Sequence, residues 1–309
     1  MAPDVPAATT ATTVPVPRVE PATKFDVASK AALFKLFLSE RDDPEPFYSR
    51  LADRSVAEFP FPLRDRFVLD LGAGPGHYTS ALQRAGATVV PIDLGEENMR
   101  KAGRAGLAAV QTDAMCLPFP ERSFDGIFCS NMLEHVPAAE RVIDEIERVL
   151  KPGGWAWISW TNWYSPWGGH NITPWHYLGP KMGAKVHARL NGGPPDRNPV
   201  FDGLWPTFIG RILNDVRSRP KLRVLDALPR YYPSQRWVLK VPGLREVVTW
   251  NCLIMVERLD DRVLALDAPA SNGAAASRAV TATTDARSAN GSNGHDAGVL
   301  ASAPKGAPA

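Results

Sequence analysis

The sequence Asp70-Leu71-Gly72-Ala73-Gly74-Pro75-Gly76 places three glycines at alternate positions between a short apolar run and a helical pattern. The apolar run begins at Phe67, and the helical pattern begins near His77. Because glycine lacks a Cβ, such a loop lets a ligand approach the backbone more closely than other residues allow. The stretch therefore predicts a strand-to-helix turn that binds a nucleotide-like ligand.

The spacing of the glycines separates two kinds of nucleotide-binding loop. A dinucleotide fingerprint needs its third glycine, or an alanine, one position later, where this chain has His77. The order G-x-G-x-G after an acidic residue fits S-adenosylmethionine better. An ordinary turn is the alternative, and it is weakened by two acids, Asp93 and Asp113, that end later strands in register.

Composition indicates one folded domain between two tails. Residues 1–23 are mostly Ala, Pro, Thr and Val, and residues 269–309 are rich in Ala, Ser, Gly and Asn. Neither end buries enough apolar surface to offset its conformational entropy, so we expect both tails to be disordered. We expect one folded domain at 24–268, divided into N-terminal helices (24–61), a cofactor-binding half (62–160), a substrate-side insertion (161–221) and C-terminal strands (222–268).

Charge and cysteine content exclude several classes of protein. The 35 basic and 33 acidic residues are spread without a long run of either sign, so we expect no nucleic-acid partner. Cys116, Cys129 and Cys252 lie far apart, without the spacing of a zinc site, so we expect no metal. With no basic and apolar leader and no run of 18 apolar residues, we expect a cytoplasmic protein.

Strand-like and helix-like patterns alternate along the chain from Phe67. That alternation predicts crossover units and an α/β fold with a doubly wound parallel sheet. Pro91 predicts a bent or shortened second strand, because proline cannot donate to the sheet. The predicted strands are 67–71, 88–93, 108–111, 126–130, 155–160, 222–228 and 247–256, with helices at 25–40 and 47–59 before them and at 204–216 after the fifth.

Ligands of an open α/β sheet bind beyond the carboxyl ends of its strands. The first strand ends at Asp70, and the second ends at Asp93, whose carboxylate suits two ribose hydroxyls. Asp113 follows the third strand and suits the amine of an adenine, although a plain turn role is the alternative. The fourth strand ends at Asn131. Four polar ends in register predict one shared ligand site.

With these residues in order, the chain resembles the class I S-adenosylmethionine-dependent methyltransferases, and most of all their small-molecule branch. After the fifth strand, Trp167-Gly168-Gly169-His170 and His176-Tyr177-Leu178-Gly179 resemble uncharacterised actinobacterial methyltransferases. The resemblance implies a seven-stranded Rossmann-like sheet with N-terminal helices and an insertion after the fifth strand. The matching segments of the cofactor-binding half are 68–76, 92–93, 113–119, 123–125, 130–136 and 148–154.

The resemblance also implies which residues hold S-adenosylmethionine. The methionine moiety would lie along Gly72, Ala73 and Gly74, on a loop that Asp70 braces and Gly76 ends. The remaining implied contacts are Asp93 and Leu94 at the ribose, Asp113, Ala114 and Met115 at the adenine, and Asn131 at the methionine end.

Aromatic residues beyond the fifth strand stand where a methyl acceptor must meet the cofactor. Trp163, Trp167 and Trp175 are predicted to wall an apolar pocket. Tyr48, on the second N-terminal helix, is predicted to fold over the cofactor as a lid, with a scaffold role as the alternative.

Two histidines of the same region, His170 and His176, are candidate bases. Methyl transfer is an in-line displacement on carbon, so a base matters only where the acceptor carries a proton to lose. The alternative is that both histidines order their loop by hydrogen bonds. Before the insertion, Glu134 reads as a lid carboxylate or a cap, and His135 as a residue over the methionine pocket.

These residues together predict methyl transfer to a small-molecule or lipid-like acceptor, with oxygen preferred because the insertion supplies histidines. One alternative is a catalytically silent S-adenosylmethionine-binding protein, which would keep the same cofactor residues. Another is an NAD(P)-dependent oxidoreductase, which is less favoured because His77 stands where its fingerprint needs a third glycine or an alanine. Segment 236–245 mixes Trp, Val and Leu with Arg and Lys, so it is predicted either to touch a membrane surface peripherally or to pack on the sheet.

Overall fold

The computed structural model describes residues 35, 36, 39 and 43–261. The predicted tails and most of the predicted helix at 25–40 lie outside the described residues. The strands are β1 Phe67–Leu71, β2 Thr88–Asp93, β3 Val110–Gln111, β4 Phe124–Ser130, β5 Leu150–Thr161, β6 Leu222–Pro229 and β7 Asn251–Arg258. The helices are α1 Pro44–Ala57, α2 His77–Arg84, α3 Glu96–Arg104, α4 Ala139–Val149, α5 Pro180–Asn191, α6 Ile209–Ser218 and α7 Leu244–Val248.

Within the described residues, the strands form one seven-stranded sheet in the order β3-β2-β1-β4-β5-β7-β6. Strands β1 to β5 pair in parallel, whereas β7 is antiparallel to both β5 and β6. The strand order reverses at β1, which lies between β2 and β4, and such a switch point opens a crevice at the carboxyl ends of the strands. The predicted doubly wound, seven-stranded sheet is confirmed.

Helices cover both faces of the sheet, so the central strands are apolar almost throughout. Leu69 and Leu71 of β1 point into one core, which α4 and α6 complete. Val68 points to the opposite face, because successive residues of a strand alternate. There Phe128 stacks on Trp157, with ring centroids 4.2 Å apart, beneath α1 and α2. These two cores hold the crevice edge rigid.

Several element boundaries differ from the prediction. The helix expected at 204–216 begins at Ile209, because the Glu246 carboxylate accepts the first backbone N–H groups of α6. The last strand begins at Asn251, since α7 occupies the residues before it. Strand β2 runs unbroken through Pro91 and pairs with β1 along its length; the short strand is β3, which pairs only beyond that proline.

The insertion between β5 and β6 packs against the carboxyl end of β4. It contains two 3-10 turns, His170–Ile172 and Trp175–Leu178, followed by α5. The backbone N–H of Trp205 donates to the carbonyl of Glu134, in the 3-10 turn that follows β4, over 2.8 Å. The insertion is therefore attached directly to the crevice edge. No helix of the described part of the chain is long and apolar enough to cross a membrane.

Candidate functional site

The loop after β1 has the backbone shape that the glycine spacing predicts. Gly72, Gly74 and Gly76 all have left-handed φ angles, of 76°, 56° and 96°. A Cβ added to Gly72 would lie 2.6 Å from Cγ of Met132, whereas one added to Gly74 would meet no atom within 4 Å. Gly74 therefore faces open space at the crevice, and a ligand can lie against its backbone.

Asp93 joins the end of β2 to the glycine loop. Its Oδ2 accepts the backbone N–H of Gly74 over 2.9 Å, and its Oδ1 accepts that of Gly95 over 2.8 Å. The carboxylate is only half-buried, so it borders the open space at Gly74. The next residue, Leu94, is 64% exposed at the rim. The structure thus brings together the loop and the acid that the sequence predicted for the ribose.

Asp70 lies beneath the same loop and is 1% exposed. Thr79, in α2, donates its hydroxyl to Oδ2 of Asp70 over 2.5 Å. Burial raises the pKa of Asp70 to about 7; the hydrogen bonds of Thr79 oppose this rise, and the charge of Asp93 adds to it. The side chain therefore ties β1 to α2 and braces the loop from below.

Asp113 forms a turn of its own after β3. Its Oδ1 accepts the backbone N–H of Met115 over 2.8 Å, and its carbonyl accepts that of Cys116. This is an Asx turn, which the sequence allowed as the alternative. Asp113, Ala114 and Met115 are all partly buried, and their adenine contact stays a prediction.

Asn131 follows β4 with a left-handed φ of 53°. Its Oδ1 accepts from the side chain of Asn251 over 2.8 Å and from Arg230 over 3.3 Å. Asn131 is thus held on two sides at the switch point, where the resemblance places the methionine end of the cofactor.

Arg230 is a site residue that the sequence analysis missed. It is 8% exposed, and its guanidinium lies 4.6 Å from the ring centre of Trp157. Among the described residues its hydrogen-bond partners are hydroxyl and amide oxygens rather than carboxylates: Ser55, Tyr78, Ser130, Asn131 and Ser159. The sequence signal that could have identified it is a charged residue directly after β6. The carboxyl ends of β6 and β5 lie at the same edge of the sheet.

Glu134, His135 and His170 form a cluster beside Asn131. Glu134 is 2% exposed; its Oε1 accepts the backbone N–H of Thr161 over 2.9 Å, and its Oε2 has no hydrogen-bond partner among the described residues. The rings of His135 and His170 are perpendicular, with centroids 5.3 Å apart. One nitrogen or oxygen atom of each of the three residues lies within 4.8 Å of the others.

The two predicted bases occupy different environments. Burial, together with the smaller effects of the nearby His135 and His176, lowers the pKa of His170 to about 3. His176 is fully buried inside the insertion, where its Nε2 donates to the carbonyl of Ser165 over 2.9 Å. Burial also lowers the pKa of His176. Only His170 belongs to the cluster at the end of β4.

The three tryptophans predicted to wall one pocket have three different settings. Trp163 is 1% exposed and packs in a small core of the insertion with Ile172 and Leu204. Trp167 is 41% exposed and lies edge-on to Trp250. Trp175 is partly buried at the start of a 3-10 turn. Trp167 is the most exposed of the three.

Tyr48 lies on the side of the loop opposite the insertion. Its ring stacks on His77, the first residue of α2, at a centroid distance of 6.2 Å and an angle of 13°. The tyrosine therefore attaches α1 to the helix that leaves the glycine loop, a position open to both of its predicted roles.

Similar proteins share the sequence pattern of the crevice. Residues 69–158 match the family described as "Methyltransferase domain". An uncharacterised methyltransferase of Mycobacteroides abscessus is 35% identical over 242 residues, which cover 73% of this chain and 92% of that protein. Another, of Mycolicibacterium vanbaalenii, is 34% identical over 255 residues, covering 74% and 94%. A solved S-adenosylmethionine-dependent methyltransferase of Mesorhizobium loti is 21% identical, with a TM-score of 0.48. The match covers 68% of this chain and 98% of that protein.

The mycobacterial relatives confirm the family that the residues of the crevice predict, and their names specify no acceptor. The matched region contains the glycine loop, Asp93 and the turn after β4. The chain therefore belongs to the S-adenosylmethionine-dependent methyltransferases, with S-adenosylmethionine as its cofactor.

Proposed function

We propose that the protein transfers the methyl group of S-adenosylmethionine to an oxygen atom of a small-molecule or lipid-like acceptor. The residues of the crevice fit the cofactor, because Gly74 leaves open space that a side chain would fill and Asp93 borders it. When bound, the cofactor supplies an electrophilic methyl group on a positively charged sulfur. Asp70 would brace the loop beneath it, and Asn131 would lie at its methionine end.

The reaction is a displacement in one step. A lone pair of the acceptor oxygen forms the new C–O bond while the C–S bond breaks, and its electron pair stays on sulfur as a neutral thioether. The hydroxyl proton leaves the acceptor for a group of the protein. The protein contributes mainly by aligning the two reactants and excluding water, for which the insertion over the end of β4 is placed.

The cluster of Glu134, His135 and His170 is the observation that supports oxygen as the acceptor atom. A hydroxyl group must lose its proton during the transfer, and the cluster places a carboxylate and two imidazoles beside Asn131. Oε2 of Glu134 is buried and receives no hydrogen bond from the part of the chain that the structure describes, so it is available to a polar group that enters the crevice. Of the two predicted bases, we retain His170 because it belongs to this cluster.

A lipid-like acceptor has its own supporting feature, segment 236–245. Val238 and Leu239 pack into the protein, but Trp237, Val241 and Leu244 are exposed. Exposed apolar residues beside Lys240 are typical of a surface that rests on lipid headgroups. A water-soluble acceptor needs no such surface.

The test is to bind the cofactor and find the product. The purified full-length chain is titrated calorimetrically with S-adenosylmethionine, S-adenosylhomocysteine and NADH, then incubated with methyl-labelled S-adenosylmethionine and an extract of the source organism. We expect both sulfur compounds to bind, NADH not to bind, and the label to appear as a methyl ether or ester. Label on carbon or nitrogen would overturn the proposed acceptor atom, and cofactor binding without any product would favour the silent binding protein.

A further inference from the structure

Glu134, His135 and His170 have the chemistry and the arrangement of a metal site. Two imidazoles and one carboxylate are the ligand set of many catalytic zinc and non-haem iron centres, in which further coordination positions stay open. The ligands come from two segments, the 3-10 turn after β4 and the first 3-10 turn of the insertion. Their convergence is therefore a result of how the insertion packs.

The two imidazoles lie at about the separation expected of rings that share one ion. Imidazoles bound to a single tetrahedral ion at about 2.1 Å have ring centres about 5 Å apart. The centroids of His135 and His170 lie 5.3 Å apart, with the rings at 87°. The three ligand atoms, within 4.8 Å of one another, must each move inward by about an ångström, a shift within reach of side-chain rotation.

The surroundings leave the ligand atoms available. Nδ1 of His135 lies 2.6 Å from the carbonyl oxygen of Gly203, which only accepts hydrogen bonds, so the lone pair of this ring is on Nε2. Metal-binding histidines are typically oriented by such a carbonyl. Oε1 of Glu134 accepts the N–H of Thr161, while Oε2 is buried and finds no donor within residues 43–261. A buried carboxylate oxygen without a donor is costly unless a cation or a ligand joins it.

We propose that Glu134, His135 and His170 bind one divalent transition-metal ion, of the series from manganese to zinc. Nitrogen ligands favour these ions over magnesium and calcium. Three protein ligands leave at least one position for an oxygen of the methyl acceptor. With the ion bound, the acceptor hydroxyl would lose its proton to solvent because coordination lowers its pKa, so the ion would take the place of His170 as base. That last role rests on the proposed function; the binding of the ion does not.

The experiment measures metal binding directly. The full-length chain is stripped with a chelator, then titrated with Co²⁺ by visible absorption and with Zn²⁺ by calorimetry, in the presence of S-adenosylhomocysteine. We expect one ion per chain. Glu134→Gln keeps an acceptor for the N–H of Thr161, and His170→Gln removes one imidazole. Each is expected to weaken binding by more than about 100-fold, since even orienting residues around a metal contribute about 10- to 100-fold.

His187→Gln is the matched control, because it removes an imidazole of α5 outside the cluster and is expected to leave metal binding unchanged. Thermal melts show which variants fold. If Glu134→Gln or His170→Gln does not fold, His135→Gln is measured in its place. The proposal is overturned if the wild-type chain binds no ion at one equivalent, or if the cluster variants bind as well as the control. A wild-type chain that binds S-adenosylhomocysteine but no metal ion contradicts the metal site and leaves the proposed function standing. A chain that binds the metal ion but transfers no label contradicts the proposed function and leaves the metal site standing.

Discussion

The backbone N–H of Gly74 donates to Oδ2 of Asp93 over 2.9 Å, so the loop after β1 and the end of β2 form one unit. The same carboxylate accepts the N–H of Gly95 through its other oxygen. A single side chain thus positions both the glycine loop and the turn that follows β2, and we expect changes in these two segments to have separable effects on folding and on binding.

Gly74→Ala and Gly72→Ala form a matched pair. Both add a methyl group at a left-handed φ, at a cost of about 1–2 kcal/mol. The methyl group at position 74 enters open space, whereas that at position 72 meets Met132, which adds about 1–3 kcal/mol. We expect Gly74→Ala to stay folded and lose S-adenosylmethionine binding, and Gly72→Ala to melt several degrees lower still. Equal melting temperatures for the two variants would contradict this reading of the loop.

Asp93→Asn tests the ribose acid. The change keeps the size of the side chain but leaves one oxygen for the N–H groups of Gly74 and Gly95 and removes the charge. Loss of a charged hydrogen bond corresponds to an affinity for S-adenosylmethionine about 10- to 100-fold lower, measured by calorimetry. Glu97→Gln, at an exposed acid of α3, is the control and should bind as the wild type does. An Asp93→Asn affinity within twofold of wild type would exclude the predicted contact.

Asp70→Asn tests the pH dependence of stability. The folded-state pKa of Asp70, about 7, exceeds the ordinary value of 3.8, so the folded chain keeps a proton that the unfolded chain releases between pH 4 and 7. The free energy of unfolding therefore falls as pH rises through this range, by at most about 1.4 kcal/mol per unit for one proton. An asparagine side chain does not titrate, so the stability of Asp70→Asn lacks this dependence on pH.

Urea unfolding at pH 5, 6, 7 and 8 measures the effect. The stability of Asp70→Asn relative to wild type should increase from pH 5 to 7 and then level off. Asp53→Asn, an exposed acid paired with Arg84, should show no such trend. A difference between Asp70→Asn and wild type that stays constant across this range would show that Asp70 is ionised in the folded cofactor-free protein.

Trp167→Ala tests the acceptor side of the crevice. Trp167 is half-exposed on the insertion, so its removal should leave the affinity for S-adenosylhomocysteine within about twofold and the melting temperature nearly unchanged. Formation of labelled product should fall through a raised KM for the acceptor. Leu190→Ala removes a more exposed apolar side chain of α5 and should retain the wild-type rate. The reverse pattern, weaker cofactor binding with unchanged KM, would refute the assignment.

Flotation with vesicles separates the two acceptor classes. With a lipid-like acceptor we expect the protein to float with anionic vesicles at low salt and to sediment at high salt, because screening weakens the attraction. Trp237→Glu should abolish flotation, since it places a charge in the exposed apolar part of segment 236–245. Protein that stays at the bottom of the gradient at both salt concentrations would assign a water-soluble acceptor.

The spacing of neighbouring residues in the sequence was sufficient to predict much of the crevice. The glycine loop and the acids that end β1 and β2 lie where the sequence predicts them, because a strand, a tight turn and a helix are encoded by neighbouring residues. The predicted shortening of the second strand at Pro91 was wrong, because β2 pairs with β1 from Thr88 to Ile92, through the proline. Only the pairing of β2 with β3 is confined to residues beyond Pro91.

The sequence by itself determined the family, the cofactor and the edge of the sheet where the cofactor binds, since those depend on residues close together in the chain. Only the tertiary structure decided which distant side chains meet there. Arg230 reaches Asn131 because β6 and β4 run in the same direction in one sheet and end at the same edge. His170 reaches Glu134 because the insertion folds back onto the turn after β4. Contacts of this kind depend on packing between segments far apart in the chain, for which no local spacing exists.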